Sequence, residues 1–296
     1  MTMDAHPTTL AQALRHAQTL GLDRLDAQLL LLHALERPTH DRAWLLAHDT
    51  DDLPLAAAVV FEASVQRRLN GEPVAYLTGH KEFFGLDLCV DARVLVPRPD
   101  TETLVEWALA LLPAAAALPT HLDSSNAAQR VLDLGTGSGA IALALKASRP
   151  ALQVYASDFS AEALAVAQGN AHRLHLNVQF CQGAWLAAMP PGTAPFFLIV
   201  SNPPYIAAED PHLAALRHEP LQALASGADG LRDLRLITAQ APAHLQAGGW
   251  LLLEHGYDQA SAVRELLLAA GFSQVQSRRD LHGIERCSGG QWQEVK

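Results

Sequence analysis

The sequence has few of the features that build cross-linked or metal-stapled proteins. Its 296 residues contain three cysteines, Cys89, Cys181 and Cys287, which lie far apart and show no paired spacing. This pattern favours neither a disulfide framework nor a zinc knuckle, and we expect no metal site. Free cysteines are consistent with the reducing cytoplasm, where we expect the protein to act.

Long apolar runs and a secretory signal are also missing from the sequence. The most apolar run, Ala27 to Leu35, contains Gln28 and His33. It is far shorter than the ~20 residues that a membrane-spanning helix needs. The N-terminus shows no basic stretch followed by an apolar core, so we expect neither export nor a membrane anchor.

Basic charge is scarce. Lysine and arginine number 21 against 31 acidic residues, the formal net charge is −10, and no extended block of basic residues occurs. Such a charge opposes a long interface with nucleic-acid phosphates. The composition, 49% hydrophobic and 18% charged, is typical of a globular protein, and the length allows two domains.

The first part of the chain predicts a small helical bundle. Apolar residues recur at helical spacing from Thr8 to about Asn70, with a first helix ending near Gly21. The further candidate helices are Asp23 to Glu36, Asp41 to His48 and Leu55 to Leu69. Because this part holds no nucleophile or metal constellation, we interpret residues 1–73 as a helical domain for packing or for docking a partner.

A change of pattern follows at residues 74–98. Leu86, Leu88 and Val90 alternate with polar residues, and after a short break Val94 and Val96 continue the alternation. This period of two predicts a β-hairpin that links two domains. A helix is predicted after the linker, and residues 113–129 show little periodicity, which indicates a surface loop.

Strand and helix patterns alternate from Arg130 onward within the predicted third segment, residues 99–296. This alternation predicts an α/β fold with a doubly wound, mainly parallel, seven-stranded sheet. The candidate strands are Arg130 to Leu134, Gln153 to Ser157, Val178 to Cys181, Phe196 to Ser201, Trp250 to Glu254, Gln274 to Ser277 and Ile284 to Cys287. The candidate helices are Ala140 to Ala147, Ala161 to His172, Leu231 to Ala243 and Ala260 to Ala269.

A glycine loop joins the first of these strands to a helix. Gly135, Gly137 and Gly139 follow the strand in a Gly-x-Gly-x-Gly spacing, which differs from the spacing expected for a dinucleotide pyrophosphate. Glycines let the backbone approach a ligand closely, and the helix start offers free N–H groups. The next strand ends at Asp158, whose carboxylate suits two ribose hydroxyls or, alternatively, caps the following helix.

The segment Phe196 to Tyr205 carries the predicted chemistry. An apolar strand ends at Asn202, Pro203, Pro204 and Tyr205. Prolines have no backbone N–H and a fixed φ, so this loop offers carbonyl acceptors in a set geometry. The Asn202 side-chain oxygen adds a second acceptor, and Tyr205 can cover a planar group. Two neighbouring acceptors suit a substrate NH₂ group, although a plain proline-rich turn would look similar.

These motifs together resemble class I S-adenosylmethionine-dependent methyltransferases that modify amino or amide nitrogen. Further segments narrow the resemblance to the peptide chain release factor glutamine methyltransferase family over nearly the whole chain: Glu82 to Gly85, Pro97 to Glu102, Glu219-Pro220 with Ala223-Leu224, and Gly227 to Leu231. The resemblance implies methyl transfer to the glutamine of a Gly-Gly-Gln segment in class 1 release factors, which supports translation termination.

The resemblance also implies site residues. Those for S-adenosylmethionine are Gly135, Thr136, Gly137, Ser138, Gly139, Asp158, Trp185 and Asn202, and those for the glutamine and its methylation are Asn202, Pro203, Pro204 and Tyr205. Trp185 suits packing on adenine but is also an ordinary core residue. Ala184 stands where the family often has an acidic residue, which puts one polar contact near the adenine in doubt. We expect a monomer with a protein substrate.

Other readings remain open at this stage. Adenine also presents NH₂ on a planar group, so a nucleic-acid amino methyltransferase is the nearest alternative, although the net charge opposes it. An NAD-binding oxidoreductase and a non-catalytic adaptor are the other two classes.

Several polar residues permit an ordinary interpretation. His172 and His175 lack a third metal ligand and suit a solvated face. Glu254-His255 closes a strand and suits a simple turn, and Asp210 with His212 suits part of a substrate lid. Arg98 and Glu102 suit either positioning that lid or capping a helix.

Overall fold

The computed structural model describes residues 9–112 and 129–293. The chain divides into two units, Met1–His80 and Lys81–Lys296. The finer division into residues 1–73, 74–98 and 99–296 stays a prediction. The predicted surface loop at residues 113–129 falls almost entirely outside the described residues.

The first unit is helical, as predicted. Its helices are α1 (Leu10–Thr19), α2 (Arg24–Ala34), α3 (Arg42–Ala47), α4 (Leu55–Leu69) and α5 (Val74–Thr78). Thr9 and Gln12 form a capping box at the start of α1, and the Asp23 side chain caps α2. The core of the unit includes Leu30, Leu31 and Leu32, which are fully buried. The short α5 was not predicted from the sequence.

The linker contains a hairpin, as predicted, but its first strand and its turn are not the predicted ones. The two-stranded sheet joins β1 (His80–Phe83) to β2 (Leu86–Cys89), and Val94 and Val96 lie outside any strand. The turn is Phe84-Gly85, with φ of 49° and 76°. Two consecutive positive φ values produce a tight turn whose twist matches the strands, and the Gly85 signal was overlooked.

The second unit contains the predicted seven-stranded sheet. Its strands are β3 (Arg130–Leu134), β4 (Gln153–Asp158), β5 (Gln179–Gln182), β6 (Phe196–Ser201), β7 (Leu245–Glu254), β8 (Ser273–Arg279) and β9 (Glu285–Gln291). The spatial order is β5-β4-β3-β6-β7-β9-β8, and β9 runs in the direction opposite to the other six strands. Successive strands therefore spread to both sides of β3, which is the doubly wound arrangement.

The remaining helices connect and cover the strands. They are α6 (Glu102–Leu111), α7 (Ala140–Ser148), α8 (Ala161–Arg173), α9 (Arg232–Gln240) and α10 (Ala260–Ala269). The predicted helix Leu231 to Ala243 is interrupted, because a 3₁₀ turn at Ala241–His244 follows α9. Pro242 lacks the N–H that would continue the α-helix. Among the described residues, no helix has both the length and the apolar character of a membrane span.

Asn170 on α8 fastens the hairpin end to the glycine loop. Its side-chain oxygen accepts the Cys89 N–H at 2.8 Å, and its Nδ2 donates to the carbonyls of Cys89 and Ser138, both at 2.9 Å. Asn170 is fully buried. One side chain therefore satisfies three backbone groups that belong to distant parts of the sequence.

Asn170→Ala is expected to lower the free energy of unfolding by about 3 kcal/mol or more, because each buried polar group left without a partner costs about 1–3 kcal/mol. Urea unfolding followed by circular dichroism measures the change. Gln168→Ala, at an exposed position of the same helix, is the matched control. An equal loss in both variants would contradict the clamp.

Candidate active site

The glycine loop folds back against the end of β4. The N–H groups of Gly135 and Thr136 donate to the Ser157 carbonyl at 2.8 and 2.9 Å. Gly135, Gly137 and Gly139 have φ of 71°, 54° and 87°. Such positive values favour glycine, so the spacing of the motif follows from the backbone conformation that the loop adopts.

The buried side chain of Asp133 supports the glycine loop through hydrogen bonds. Its Oδ2 accepts the Thr136 hydroxyl at 2.6 Å and the Ala142 N–H at 3.1 Å, whereas its Oδ1 has no hydrogen-bond partner among the described residues. The carboxyl is completely buried. Burial raises the pKa of Asp133 to about 7, because the charged form has lost its water.

Asp158 lies at the end of β4 beside the glycine loop. Its Oδ2 accepts the Gly137 N–H at 2.9 Å and its Oδ1 accepts the Ser160 N–H at 2.9 Å. Burial raises the pKa of this carboxyl. The side chain that caps α8 is that of Ser160 and not that of Asp158, because the Ser160 hydroxyl accepts the Ala163 N–H at 3.1 Å. A carboxylate has lone pairs beyond these two bonds, so Asp158 can still accept from a ligand.

The acceptor loop, residues 202–205, starts where β6 ends. Asn202 Nδ2 donates to the Thr101 hydroxyl at 3.2 Å. At the other end of the loop, the Tyr205 carbonyl accepts Gln259 Nε2 at 2.9 Å. A Cβ at Gly230 would stand 2.2 Å from that carbonyl oxygen, so a glycine is required there. The loop is therefore held at both ends by side chains from distant segments.

Trp185 lies over the start of the glycine loop in a strained backbone conformation. Its φ is +50°, and a Cβ at Gly135 would lie 3.2 Å from its ring. The ring nitrogen donates to Asp233 Oδ1 at 3.3 Å, and Asp233 Oδ2 accepts the Ser226 hydroxyl at 2.6 Å. A carboxylate from α9 therefore reaches the tryptophan that follows Ala184.

These elements enclose one cavity of about 340 Å³. It is lined by predicted site residues from four segments, namely Gly135, Gly137, Asp158, Trp185, Asn202 and Pro204. Five predicted residues do not line it: Thr136, Ser138, Gly139, Pro203 and Tyr205. Of these, Thr136 hydrogen-bonds to Asp133, and Gly139 is the residue directly before α7. Both residues therefore contribute to the structure of the glycine loop.

Sequence reasoning missed several residues that line the cavity. Arg93, Val94 and Leu95 belong to the segment that was interpreted as a linker, and Phe159 and Asp233 were not singled out. Phe159 directly follows the predicted Asp158 and is 70% exposed, although it is a large apolar ring. Its position beside Asp158 was a usable signal, whereas nothing local to Asp233 indicated its contact with Trp185.

The other polar candidates occupy different places. Arg98 pairs with the buried Glu219, whose second oxygen accepts the Val96 N–H at 3.1 Å. Glu102 accepts the Phe84 N–H at 3.0 Å. Asp210 caps the short 3₁₀ helix Pro211–Leu216 by accepting the His212 N–H. These contacts support the backbone.

Among the described residues, one group has metal-ligand spacing: Asp100, Asp280 and His282. Arg286 pairs with both carboxylates, at 3.3 Å to Asp100 and 3.2 Å to Asp280. The Arg286 guanidinium therefore already occupies the position between the two carboxylates.

The fold and the cavity define a class I methyltransferase, and comparisons with known proteins narrow the class. The family model "Methyltransferase small domain" matches residues 111–278, and "PrmC N-terminal domain" matches residues 8–79. The protein named release factor glutamine methyltransferase from Bordetella pertussis is 51% identical over 272 residues, which cover 91% of this chain and 95% of that protein. The Xylella fastidiosa protein of the same name is 50% identical, with coverage of 94% and 96%. The chain belongs to the release factor glutamine methyltransferase family.

Solved structures show the same fold at lower sequence identity. A methyltransferase from Pyrococcus furiosus has a TM-score of 0.52 and 20% identity, and the match covers 78% of this chain and 98% of that one. A human methyltransferase 10 domain containing protein has a TM-score of 0.50 and 17% identity, with coverage of 72% and 90%. The predicted fold class and family are therefore confirmed.

The pKa of Asp133 predicts a pH-dependent stability difference. A buried carboxyl that ionises near 7 in the folded state and near 3.8 in the unfolded state binds more protons when folded, so its contribution to stability falls as the pH rises between these values. Asp133→Asn does not titrate. The unfolding free energy of this variant minus that of the wild type should therefore increase from pH 4 to pH 7 in urea titrations. A difference that stays constant with pH would rule out this origin.

Proposed function

We propose that this protein transfers a methyl group from S-adenosylmethionine to the side-chain amide nitrogen (N5) of the glutamine in the Gly-Gly-Gln segment of class 1 release factors. One observation carries the proposal: Asn202 and Pro204 line the same cavity as Gly135, Gly137 and Asp158. A cofactor cradle and an acceptor for an NH₂ group therefore share one space. The family relatives carry the corresponding name.

The residues of the cavity fit the proposed cofactor. Asp158 has free lone pairs for ribose hydroxyls, and the glycine loop brings backbone close to the cavity without Cβ atoms in the way. The rings of Phe159 and Trp185 offer apolar faces for adenine, and this accounts for a phenyl ring that is 70% exposed. When bound, S-adenosylmethionine supplies an electrophilic methyl group on a sulfonium.

The acceptor loop would orient the amide of the substrate. An amide nitrogen is a weak nucleophile, because its lone pair is delocalised into the carbonyl. We assign the two amide hydrogens to Asn202 Oδ1 and the Pro203 carbonyl, which favours a geometry with the nitrogen lone pair free for attack. Pro203 is buried and does not line the cavity. The contact proposed for its carbonyl follows from its place in the chain between Asn202 and Pro204, which do line it.

This catalysis needs alignment more than a base. Holding reactants in a productive orientation can contribute about 7–11 kcal/mol. Acceptors aimed at the nitrogen also stabilise the positive charge that develops there. Tyr205 would cover the planar carboxamide, and burial raises the pKa of its phenol, so this ring stays neutral.

The nucleic-acid alternative is not favoured. The chain has a formal net charge of −10, which opposes a phosphate interface, and the curated relatives carry the release-factor name. We place the protein in the cytoplasm with its release-factor substrate, and we assign it a monomeric state.

Mass spectrometry of a class 1 release factor incubated with this protein and S-adenosylmethionine tests the proposal. The expected product carries one added methyl on the Gly-Gly-Gln glutamine. Asn202→Ala should lower turnover by about 10²–10³-fold, as loss of one transition-state hydrogen-bonding group does, while cofactor affinity changes far less. Asn177→Ala, at an exposed loop position, is the matched control. Methyl transfer to DNA or RNA, with none to the release factor, would overturn the assignment.

Asp158→Asn tests the cofactor half of the site. The variant keeps the shape of the side chain, removes the charge that strengthens bonds to ribose hydroxyls, and replaces one oxygen that accepts a backbone N–H by an NH₂ donor. Affinity for S-adenosylmethionine should therefore fall about tenfold or more. Isothermal titration calorimetry measures this affinity. Glu162→Ala removes an exposed acidic residue in the first turn of α8 and controls for a general charge effect. Equal affinities in the wild type and both variants would exclude a role of Asp158 in binding the cofactor.

A further inference from the structure

One side chain bridges the segment after β7 and the end of the acceptor loop. Gln259 Oε1 accepts the Gly256 N–H at 2.8 Å, and Gln259 Nε2 donates to the Tyr205 carbonyl at 2.9 Å. A backbone N–H can only donate and a carbonyl oxygen can only accept, so these two partners fix the direction of the Gln259 amide. Gln259 does not line the cavity. Its effect on the reaction therefore passes through the acceptor loop.

The peptide group between Tyr205 and Ile206 is held on both sides. Its carbonyl accepts Gln259 Nε2, and its N–H donates to the Leu224 carbonyl at 2.9 Å. The Ile206 carbonyl in turn accepts the Ser226 N–H at 2.8 Å. A peptide group is planar, so two hydrogen bonds on its opposite edges oppose its rotation. They thereby fix the direction in which the acceptor loop ends.

The segment around Gly230 packs directly on the bond between Gln259 and Tyr205. A Cβ at Gly230 would lie 2.2 Å from the Tyr205 carbonyl oxygen and 2.8 Å from Gln259 Nε2. A residue with a side chain would break this contact. The hydrogen bond therefore lies where three segments meet closely, and a carbonyl left there without its donor costs stability.

The partner of Gln259 at the other end of its amide is itself fixed. The Gly256 carbonyl accepts the Gln259 N–H at 3.1 Å and lies 2.9 Å from Nδ1 of the fully buried His255. The other ring nitrogen, Nε2, lies 2.8 Å from the hydroxyl of Ser288 on β9. Because a carbonyl oxygen accepts, Nδ1 carries the hydrogen of this bond, and the imidazole ring links Gly256 to the sheet. Gln259 thus connects the acceptor loop to a fixed part of the sheet.

We propose that Gln259 is a positioning residue for methyl transfer, which holds the acceptor loop at its Tyr205 end. This inference rests on the proposed function of that loop. Asn202, at the other end, is held by Thr101, so loss of Gln259 leaves the loop with one of these two side-chain supports. Catalysis by alignment loses rate when the loop turns about its remaining support. The glycine loop and Asp158 are held by separate contacts, so cofactor affinity should change little.

Gln259→Glu tests the donor alone. The ionised variant keeps an acceptor for the Gly256 N–H but turns an oxygen toward the Tyr205 carbonyl, so kcat for the release factor should fall about tenfold or more at about pH 8. The protonated carboxyl group has one O–H and can donate to the carbonyl as the amide does. The ratio of the variant's kcat to that of the wild type should therefore rise as the pH is lowered to about 5.

Two further variants serve as controls. Gln259→Ala removes both bonds and should lower kcat without recovery at low pH, whereas Gln276→Glu, at an exposed position of β8, should behave as the wild type. KM and cofactor affinity should change little in all three. The titratable residues Tyr205, His255 and Asp258 lie around the clamp in every protein, so the ratio removes their contribution. An unchanged kcat in Gln259→Glu at about pH 8, or a loss that does not recover at low pH, overturns the inference.

Hydrogen exchange tests the position of the loop without any substrate. The Ile206 N–H belongs to the held peptide group, and it should exchange about tenfold faster or more in Gln259→Ala than in the wild type. The amides of β3 (Arg130–Leu134) should exchange equally in both proteins. An Ile206 amide with the same exchange rate in both overturns the inference. A wild type that methylates no release factor, but whose Ile206 amide responds as expected, would overturn the proposed function and leave the positioning of the loop by Gln259 intact.

Discussion

The structure of the site depends on the parallel pairing of β3 with β6. Leu134 pairs with Ser201, and the Ser201 hydroxyl donates to the Leu134 carbonyl at 2.7 Å. The next residue of each strand enters a loop of the site, Gly135 on one side and Asn202 on the other. A shift of register by one residue would part these loops and turn each side chain of β6 to the opposite face of the sheet. The two halves of the proposed site therefore meet because two apolar strands pair in one register.

Polar contacts from distant segments then make the loops rigid. Tyr205 is held through its carbonyl by Gln259, and Trp185 through its ring nitrogen by Asp233. Each contact pairs a partly buried donor with an acceptor, and either group left without a partner would cost stability. Catalysis by alignment requires such rigidity, since a loosely held acceptor gives little orientation. The buried carboxyl of Asp133 acts in the same way, because it accepts the Thr136 hydroxyl of the glycine loop.

The errors of the sequence-based interpretation have a common cause. The alternation of Leu86, Leu88 and Val90 was extended to Val94 and Val96, but these two residues are buried without belonging to a strand. Burial in an irregular segment produces the same apolar spacing as a half-buried strand. The segment around them forms part of the cavity wall. Periodicity indicates which side chains avoid water, and it leaves open what covers them.

The sequence alone determined the order of the seven strands of the large sheet and of the helices between them, the glycine loop, Asp158 and the acceptor loop. These follow from apolar periodicity and from the special backbones of glycine and proline, which are local properties. Tertiary structure decided which side chains complete the site. Asp233 reaches Trp185 from 48 residues away in the chain, and Thr101 meets Asn202 across 101 residues. No local pattern encodes such pairs, since they arise only when the sheet has brought the ends of separate strands together.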